Sequence, residues 1–134
     1  DVVVLGSGPG GDVAAIRAGQ LGMRTAVLER DEVGGICLNW GCIPSKSLLR
    51  NAEVVSLVAS ADKWGITFDN LSIDFGKAID RSRQVVQRLT KGIAALLQKN
   101  AVEVIKGDAT VVGIDCASLV GAGSPLDQRV FQDQ

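Results

Sequence analysis

Apolar positions along the chain fall into short continuous runs ended by glycine and longer stretches of helical period. Val2–Leu5 is an unbroken apolar run closed by Gly6, the pattern of a strand buried on both faces of a parallel sheet. GSGPGG follows, then DVAAIRAGQLG, in which Ala14, Ala15, Ala18 and Leu21 lie near helical spacing. Residues 25–28 form a second apolar run, so residues 2–28 predict a β-α-β unit with a right-handed crossover that closes on Glu29. The glycine-containing loop over 30–36 leads to two cysteines. Beyond Pro44, SKSLLRNAEVVSLVAS predicts a helix with Leu48, Leu49, Ala52, Val55 and Val58 inward. Residues 62–73, with Gly65 and Asn70, predict a connector. Asp74 is then the expected cap of a long helix to about Lys99, with Ile79, Val85, Val86, Leu89, Ile93 and Leu96 apolar and Gly92 its soft spot. Val102, Val104 and Ile105, then residues 109–114 after Gly107, predict two more strands. After Ile114 the periodicity decays. The expected architecture is α/β, a Rossmann-like domain over residues 1–114 with a central parallel sheet and flanking helices, followed by an irregular tail over 115–134.

Composition narrows the partners. With 46% hydrophobic and 22% charged residues, the chain has ordinary globular composition and is long enough for one domain with a real core. Its net charge of −1, from 14 basic and 15 acidic residues without a long block of either sign, predicts neither a nucleic-acid partner nor an anionic membrane surface. No apolar run nears the roughly 20 residues that span a bilayer. Three cysteines and no histidine do not make a secreted disulfide framework, so a cytoplasmic protein with a working thiol pair is the expectation. The chain opens on Asp1 rather than Met, directly before a core strand. Missing N-terminal residues are therefore expected, and an organellar leader stays open.

Gly6, Gly8 and Gly11 have G-x-G-x-x-G spacing, within Gly6, Ser7, Gly8, Pro9, Gly10 and Gly11. Each has a physical use: a tight turn, close approach of backbone to a pyrophosphate, and close packing of helix on strand. The following helix N-terminus presents free N–H groups and a positive dipole end to an anion. Glu29, 18 residues after Gly11 and at a strand end, stands where ribose hydroxyls need an acceptor. A purely steric glycine turn is the competing reading, and the turn alone does not separate FAD from NAD.

Cys37 and Cys42 are separated by Leu38, Asn39, Trp40 and Gly41. Two buried cysteines near a helix start are the bland alternative. Zinc lacks a credible ligand set, since there is no histidine and the third cysteine, Cys116, is distant. A disulfide needs Cα atoms about 4.4–6.8 Å apart, whereas five residues of straight helix rise about 7.5 Å, so a bridge requires a bend that Gly41 permits. A nearby cation such as Lys46 would lower a cysteine pKa, although a solvated lysine at a helix start is the plainer alternative.

Taken with GSGPGGDVAA and Glu29, the segment GGICLNWGCIPSKSLL closely resembles the signature of the pyridine nucleotide disulfide oxidoreductases, and the resemblance extends over roughly residues 1–114. It implies FAD, with pyrophosphate on residues 6–11, adenosine ribose at Glu29 and Arg30, and adenine facing Gly107 to Ala109. Gly34, Gly35 and Ile36 would line the flavin side, with Lys46 near flavin N5. Cys37 would be the interchange thiol and Cys42 the charge-transfer thiol. Within the family the LNxGCIPSK form is most similar to the branch that oxidises dihydrolipoyl groups of 2-oxo acid dehydrogenase complexes, with electrons passing to FAD and then NAD in a homodimer. Glutathione- and mercuric-reductase-like members are the alternatives inside the family; a stand-alone FAD-binding or thiol module is the alternative outside it. Ile36 replaces a common threonine and Trp40 a commonly smaller residue. The family's NAD domain, its interface domain and the His-Glu acid-base pair are absent, so the segment is expected to be a truncated, catalytically incomplete part.

Overall fold

The computed structural model describes residues 1–113, 116–120 and 130–131, with side chains as far as Val111. In chain order the elements are β1 (Val2–Leu5), α1 (Pro9–Gln20), β2 (Thr25–Glu29), α2 (Gly35–Asn39), α3 (Cys42–Ala59), a 3-10 turn (Ala61–Trp64), α4 (Phe75–Lys99), β3 (Val102–Lys106), β4 (Asp108–Gly113), β5 (Cys116–Val120) and β6 (Val130–Phe131). The predicted β-α-β unit is present: β1 and β2 run parallel, with Val2 opposite Thr25 and Leu5 opposite Leu28. β3 joins on the far side of β2, also parallel, giving the order β1-β2-β3. A second, antiparallel sheet has the order β4-β5-β6.

The fold is thus the expected α/β arrangement of a parallel sheet with flanking helices. Its core forms where α1 and α4 meet the sheet, around Ala15, Val27, Leu97 and Val102, with Val4, Ile16 and Ile93 packed against it. β2 is the strand buried along its whole length. β1 is not, contrary to the sequence expectation, and Val3 and Leu5 are 37% and 45% exposed. Exposure alternates along the strand: Val2 and Val4 lie on a partly covered face, Val3 and Leu5 on an uncovered one.

Helix ends follow local chemistry. Asp74 caps α4, its Oδ1 accepting from the Lys77 N–H at 3.2 Å. The helix then runs unbroken through Gly92 to Lys99. Its buried residues are Ala78, Ser82, Val86 and Leu97, spaced at multiples of a helical turn, while Leu89 and Leu96 lie outward. In α3 the partly buried line is Leu48, Val55 and Val58; Leu49 and Ala52 face solvent. Ala14 and Leu21 of α1 are likewise exposed. The tail, expected to be irregular from residue 115, holds β5, because Cys116–Val120 completes hydrogen bonds along β4. Ile114 itself, and the side chain of Cys116, lie outside the described residues. Among those residues no helix is long and apolar enough to cross a membrane, and no cluster of His, Cys, Asp or Glu could hold a metal ion.

Candidate dinucleotide and thiol site

The turn between β1 and α1 divides its three glycines by task. Gly6 adopts φ +87°, which only glycine takes without strain, and so makes the turn. Gly8 needs no such freedom, with φ −67° as the N-cap of α1. Instead a side chain at Gly8 or Gly10 would enter open space. Gly11 is the packing glycine: a Cβ there would overlap the Gly6 carbonyl and press on Val4. α1 starts with Pro9 and has no side-chain cap, so its first N–H groups receive no acceptor from a capping side chain. Open space beside a helix N-terminus fits a diphosphate.

Glu29 closes the turn from the end of β2. It is 8% exposed and its Oε2 accepts from both the Ser7 N–H (2.7 Å) and the Ser7 hydroxyl (2.8 Å). Oε1 accepts from the Asp31 N–H at 2.9 Å. Burial pushes this carboxyl up, yet donors from Asp31, Ser7 and Arg30 outweigh it and leave the pKa lowered. Most of its acceptor positions are thereby filled from within the chain. Glu29 accordingly pins the glycine turn, a role its position in the sequence did not disclose. Ser7, placed among the cofactor contacts by motif, is fully buried and serves this pin. The Glu29 carbonyl also accepts from the Gly107 N–H at 3.0 Å, which brings Gly107 and the start of β4, with Ala109, alongside. Arg30 is exposed and pairs with Asp31 at 3.6 Å.

The cysteine loop lies directly against this turn. The Gly34 N–H donates to the Ser7 carbonyl at 2.9 Å and meets the Ser7 hydroxyl at 3.2 Å. Gly35, at φ +57°, passes so close that a Cβ would stand 2.9 Å from the Gly8 Cα. Two motifs whose contacting residues are 27 positions apart in sequence therefore form one site. Ile36 is 72% exposed on its open side.

Cys37 and Cys42 sit on either side of a helix break. α2 ends at Asn39, Trp40 and Gly41 leave the helical conformation, and α3 begins at Cys42. The bend required by a disulfide is present at Gly41, where a Cβ would crowd the Ile36 carbonyl at 3.0 Å. Both residues are thiols; Cys37 is half-buried and Cys42 exposed. The neighbouring Cys42 side chain is the main cause that raises the Cys37 pKa, with burial and the Cys42 charge adding to it. The Cys42 N–H and the Lys46 ammonium act the other way. Lys46 lies one turn along α3 from Cys42, on the same face. Two thiols on either side of a helix break, electrostatically addressed by a cation, are equipped to form and break a disulfide.

The glycine turn and the paired cysteines thus lie together, and the model of the pyridine nucleotide-disulphide oxidoreductase family matches residues 1–124. The chain belongs to that family. Among curated relatives it is 54% identical over 113 residues to dihydrolipoyl dehydrogenase of Zymomonas mobilis subsp. mobilis, covering 84% of this chain and 24% of that protein. It is 49% identical over 113 residues to the dihydrolipoyl dehydrogenase of Chlorobaculum tepidum, again 84% and 24%. Identity to that of Rhizobium etli is 44% over 138 residues, 97% of this chain and 29% of the relative. Among solved structures it is similar to the HOCl-induced flavoprotein disulfide reductase RclA from Escherichia coli, with a TM-score of 0.71 and 27% identity over 89% of this chain and 24% of that one. The chain spans about a quarter of the length of the relatives it matches.

Proposed function

We propose that this chain is the FAD-binding N-terminal segment of a dihydrolipoyl dehydrogenase, with residues 1–114 as its domain and Cys37 and Cys42 as its redox pair. The observation that carries the proposal is the placement of the two cysteines on either side of a helix break, with the loop before it packed against the glycine turn. FAD would be held at Gly6, Ser7, Gly8, Pro9, Gly10 and Gly11 by its pyrophosphate and near Glu29 and Arg30 by its ribose. Gly34, Gly35, Ile36 and Lys46 would line the flavin side, and Gly107 and Ala109 the adenine side. When bound, it supplies a two-electron acceptor for the thiols.

The work of the chain's own residues is thiol-disulfide exchange. In the oxidised pair, one thiolate of a dihydrolipoyl group attacks the Cys37 sulfur, a mixed disulfide forms and Cys42 departs as the thiolate. The second substrate sulfur then displaces Cys37. The substrate leaves as a cyclic disulfide, having lost two electrons and two protons, and the pair holds the two electrons as a dithiol. Lys46 favours thiolate in the pair, lowering the cost of having one leave. NAD as final acceptor, the 2-oxo acid dehydrogenase complexes as source of dihydrolipoyl groups and a homodimeric state belong to the same reading, through relatives much longer than this chain.

In the full-length protein reconstituted with FAD, Cys37→Ser and Cys42→Ser are each expected to abolish dihydrolipoamide turnover while flavin absorbance survives gel filtration. Cys42→Ser should also remove the long-wavelength charge-transfer band on reduction. Normal turnover in either variant, or a native bridge to Cys116 in peptide maps, overturns the assignment.

A further inference from the structure

A continuous helix through residues 35–59 would separate the two cysteines by about 7.5 Å of rise, beyond the reach of a disulfide, so the break at Trp40 and Gly41 must be maintained. α2 has five residues and cannot persist on its own propensity. Part of its support is local: the Asn39 side-chain amide donates to the Val33 carbonyl at 3.1 Å and the Gly35 carbonyl at 2.9 Å. The rest comes from α4. Arg83 Nη1 donates to the Asn39 carbonyl at 3.4 Å, and the Ser82 hydroxyl donates to the Pro44 carbonyl at 3.4 Å. These partners lie 44 and 38 residues away in the chain.

We propose that Ser82 and Arg83 are positioning residues for the thiol pair, a role that rests on Cys37 and Cys42 being the redox centre proposed above. Consecutive residues of one helix grip the last residue of α2 and the first turn of α3, one on each side of the break. The last carbonyls of a helix have no partner within it, and Arg83 supplies one at Asn39. Ser82 is 3% exposed within the apolar stripe of Ala78 and Val86. Alanine there would pack as well. The hydroxyl adds a directed bond to Pro44, itself buried, and a buried hydroxyl must have such a partner. α4 thereby sets the angle between α2 and α3, and with it the effective concentration of one thiol at the other.

The consequence is a shift in the equilibrium between dithiol and disulfide. Loss of the braces lets α2 and α3 realign, which penalises the bridge and leaves the separated thiols unaffected. The net contribution of one such bond corresponds to about a two- to tenfold change in an equilibrium constant. The test equilibrates the full chain in graded mixtures of reduced and oxidised dithiothreitol, traps thiols with iodoacetamide and quantifies the Cys37–Cys42 bridge by peptide mass mapping. Arg83→Met, which keeps the apolar stem and drops the donors, is expected to lower the bridge-formation constant about threefold. Combination with Ser82→Ala should bring the loss to about tenfold, or about 30 mV for a two-electron couple. Arg83→Lys, which restores a donor, should recover most of it, and Arg81→Met on the same turn of α4 should leave the midpoint at the wild-type value. A wild-type midpoint in the double variant, with unchanged far-UV circular dichroism, overturns the positioning role. If the double variant does not fold, the exposed Arg83→Met variant decides alone by the same criterion. Failure of the wild-type chain to form the bridge at any ratio overturns the redox reading itself and this role with it.

Discussion

Asp12 stands in the first turn of α1, 2% exposed, with its Oδ1 lacking a hydrogen-bond partner. Two effects compete there. A carboxylate near a helix N-terminus gains about 0.3–1 kcal/mol from the dipole, whereas burying an unsatisfied group costs about 1–3 kcal/mol, more when charged. Burial wins: it pushes the Asp12 pKa above the ordinary 3.8, with the Val13 N–H only partly opposing it. A raised folded pKa means that the associated stability is present below 3.8 and lost as pH climbs through the folded value. Asp12→Asn is therefore expected to stabilise the chain at pH 7 by about 1–2 kcal/mol in urea unfolding, and to flatten that pH dependence. Glu29 has the opposite sign. Its folded pKa lies below 4.5, so its contribution is present above 4.5 and lost as pH falls through the folded value. Glu29→Gln should cost about 1.5–3 kcal/mol at pH 7, since an amide nitrogen would face Ser7 or Asp31 donors, and should remove the acid-side loss. Equal unfolding midpoints for this variant and wild type at pH 7 would show that the pin carries no energy.

At the scale of the element, the glycine turn separates a packing requirement from a space requirement. Gly8→Val projects into the open space, so it should abolish dinucleotide binding, measured by ADP or FAD titration, while the β-α-β unit still melts cooperatively. Gly11→Ala drives its methyl group into the Gly6 carbonyl and should instead lower the melting temperature by many degrees. Matching effects of the two substitutions on binding and stability would refute the division. Periodicity was sufficient for α1, α3 and α4 to be legible, because each has an apolar side with repeats of three and four. It did not resolve which apolar residue of a neighbouring pair turns inward. Leu97 rather than Leu96, and Leu48 rather than Leu49, face the core, since one residue is only about 100° of rotation and the choice belongs to the packing partner. Ser82 was invisible in the same way, as a serine among polar residues until α3 lay against it.

For the molecule as a whole, apolar side chains remain uncovered along one connected stretch. Trp64, Ile66, Phe68, Leu71, Ile73 and Phe75 are all between 47% and 73% exposed. A row of that size exceeds scattered surface hydrophobes and favours association. The isolated chain is expected to elute from size exclusion at a mass that rises with concentration, and Trp64→Glu with Phe75→Glu to return it to monomer. A concentration-independent monomer in the unmodified chain would contradict this. The alternation of apolar runs with glycine, and the spacing of the two motifs, made the β-α-β unit, the cap at Asp74, the glycine turn and the candidate thiol pair legible, because each is carried by one contiguous stretch of chain. Tertiary structure decided the rest. Burial of β2 but not β1, the pinning of Ser7 by Glu29, the seating of Gly35 on Gly8 and the bracing of the cysteine break by α4 all join residues 22 or more positions apart, and no local pattern encodes which distant group will arrive to satisfy a buried donor or fill an open face.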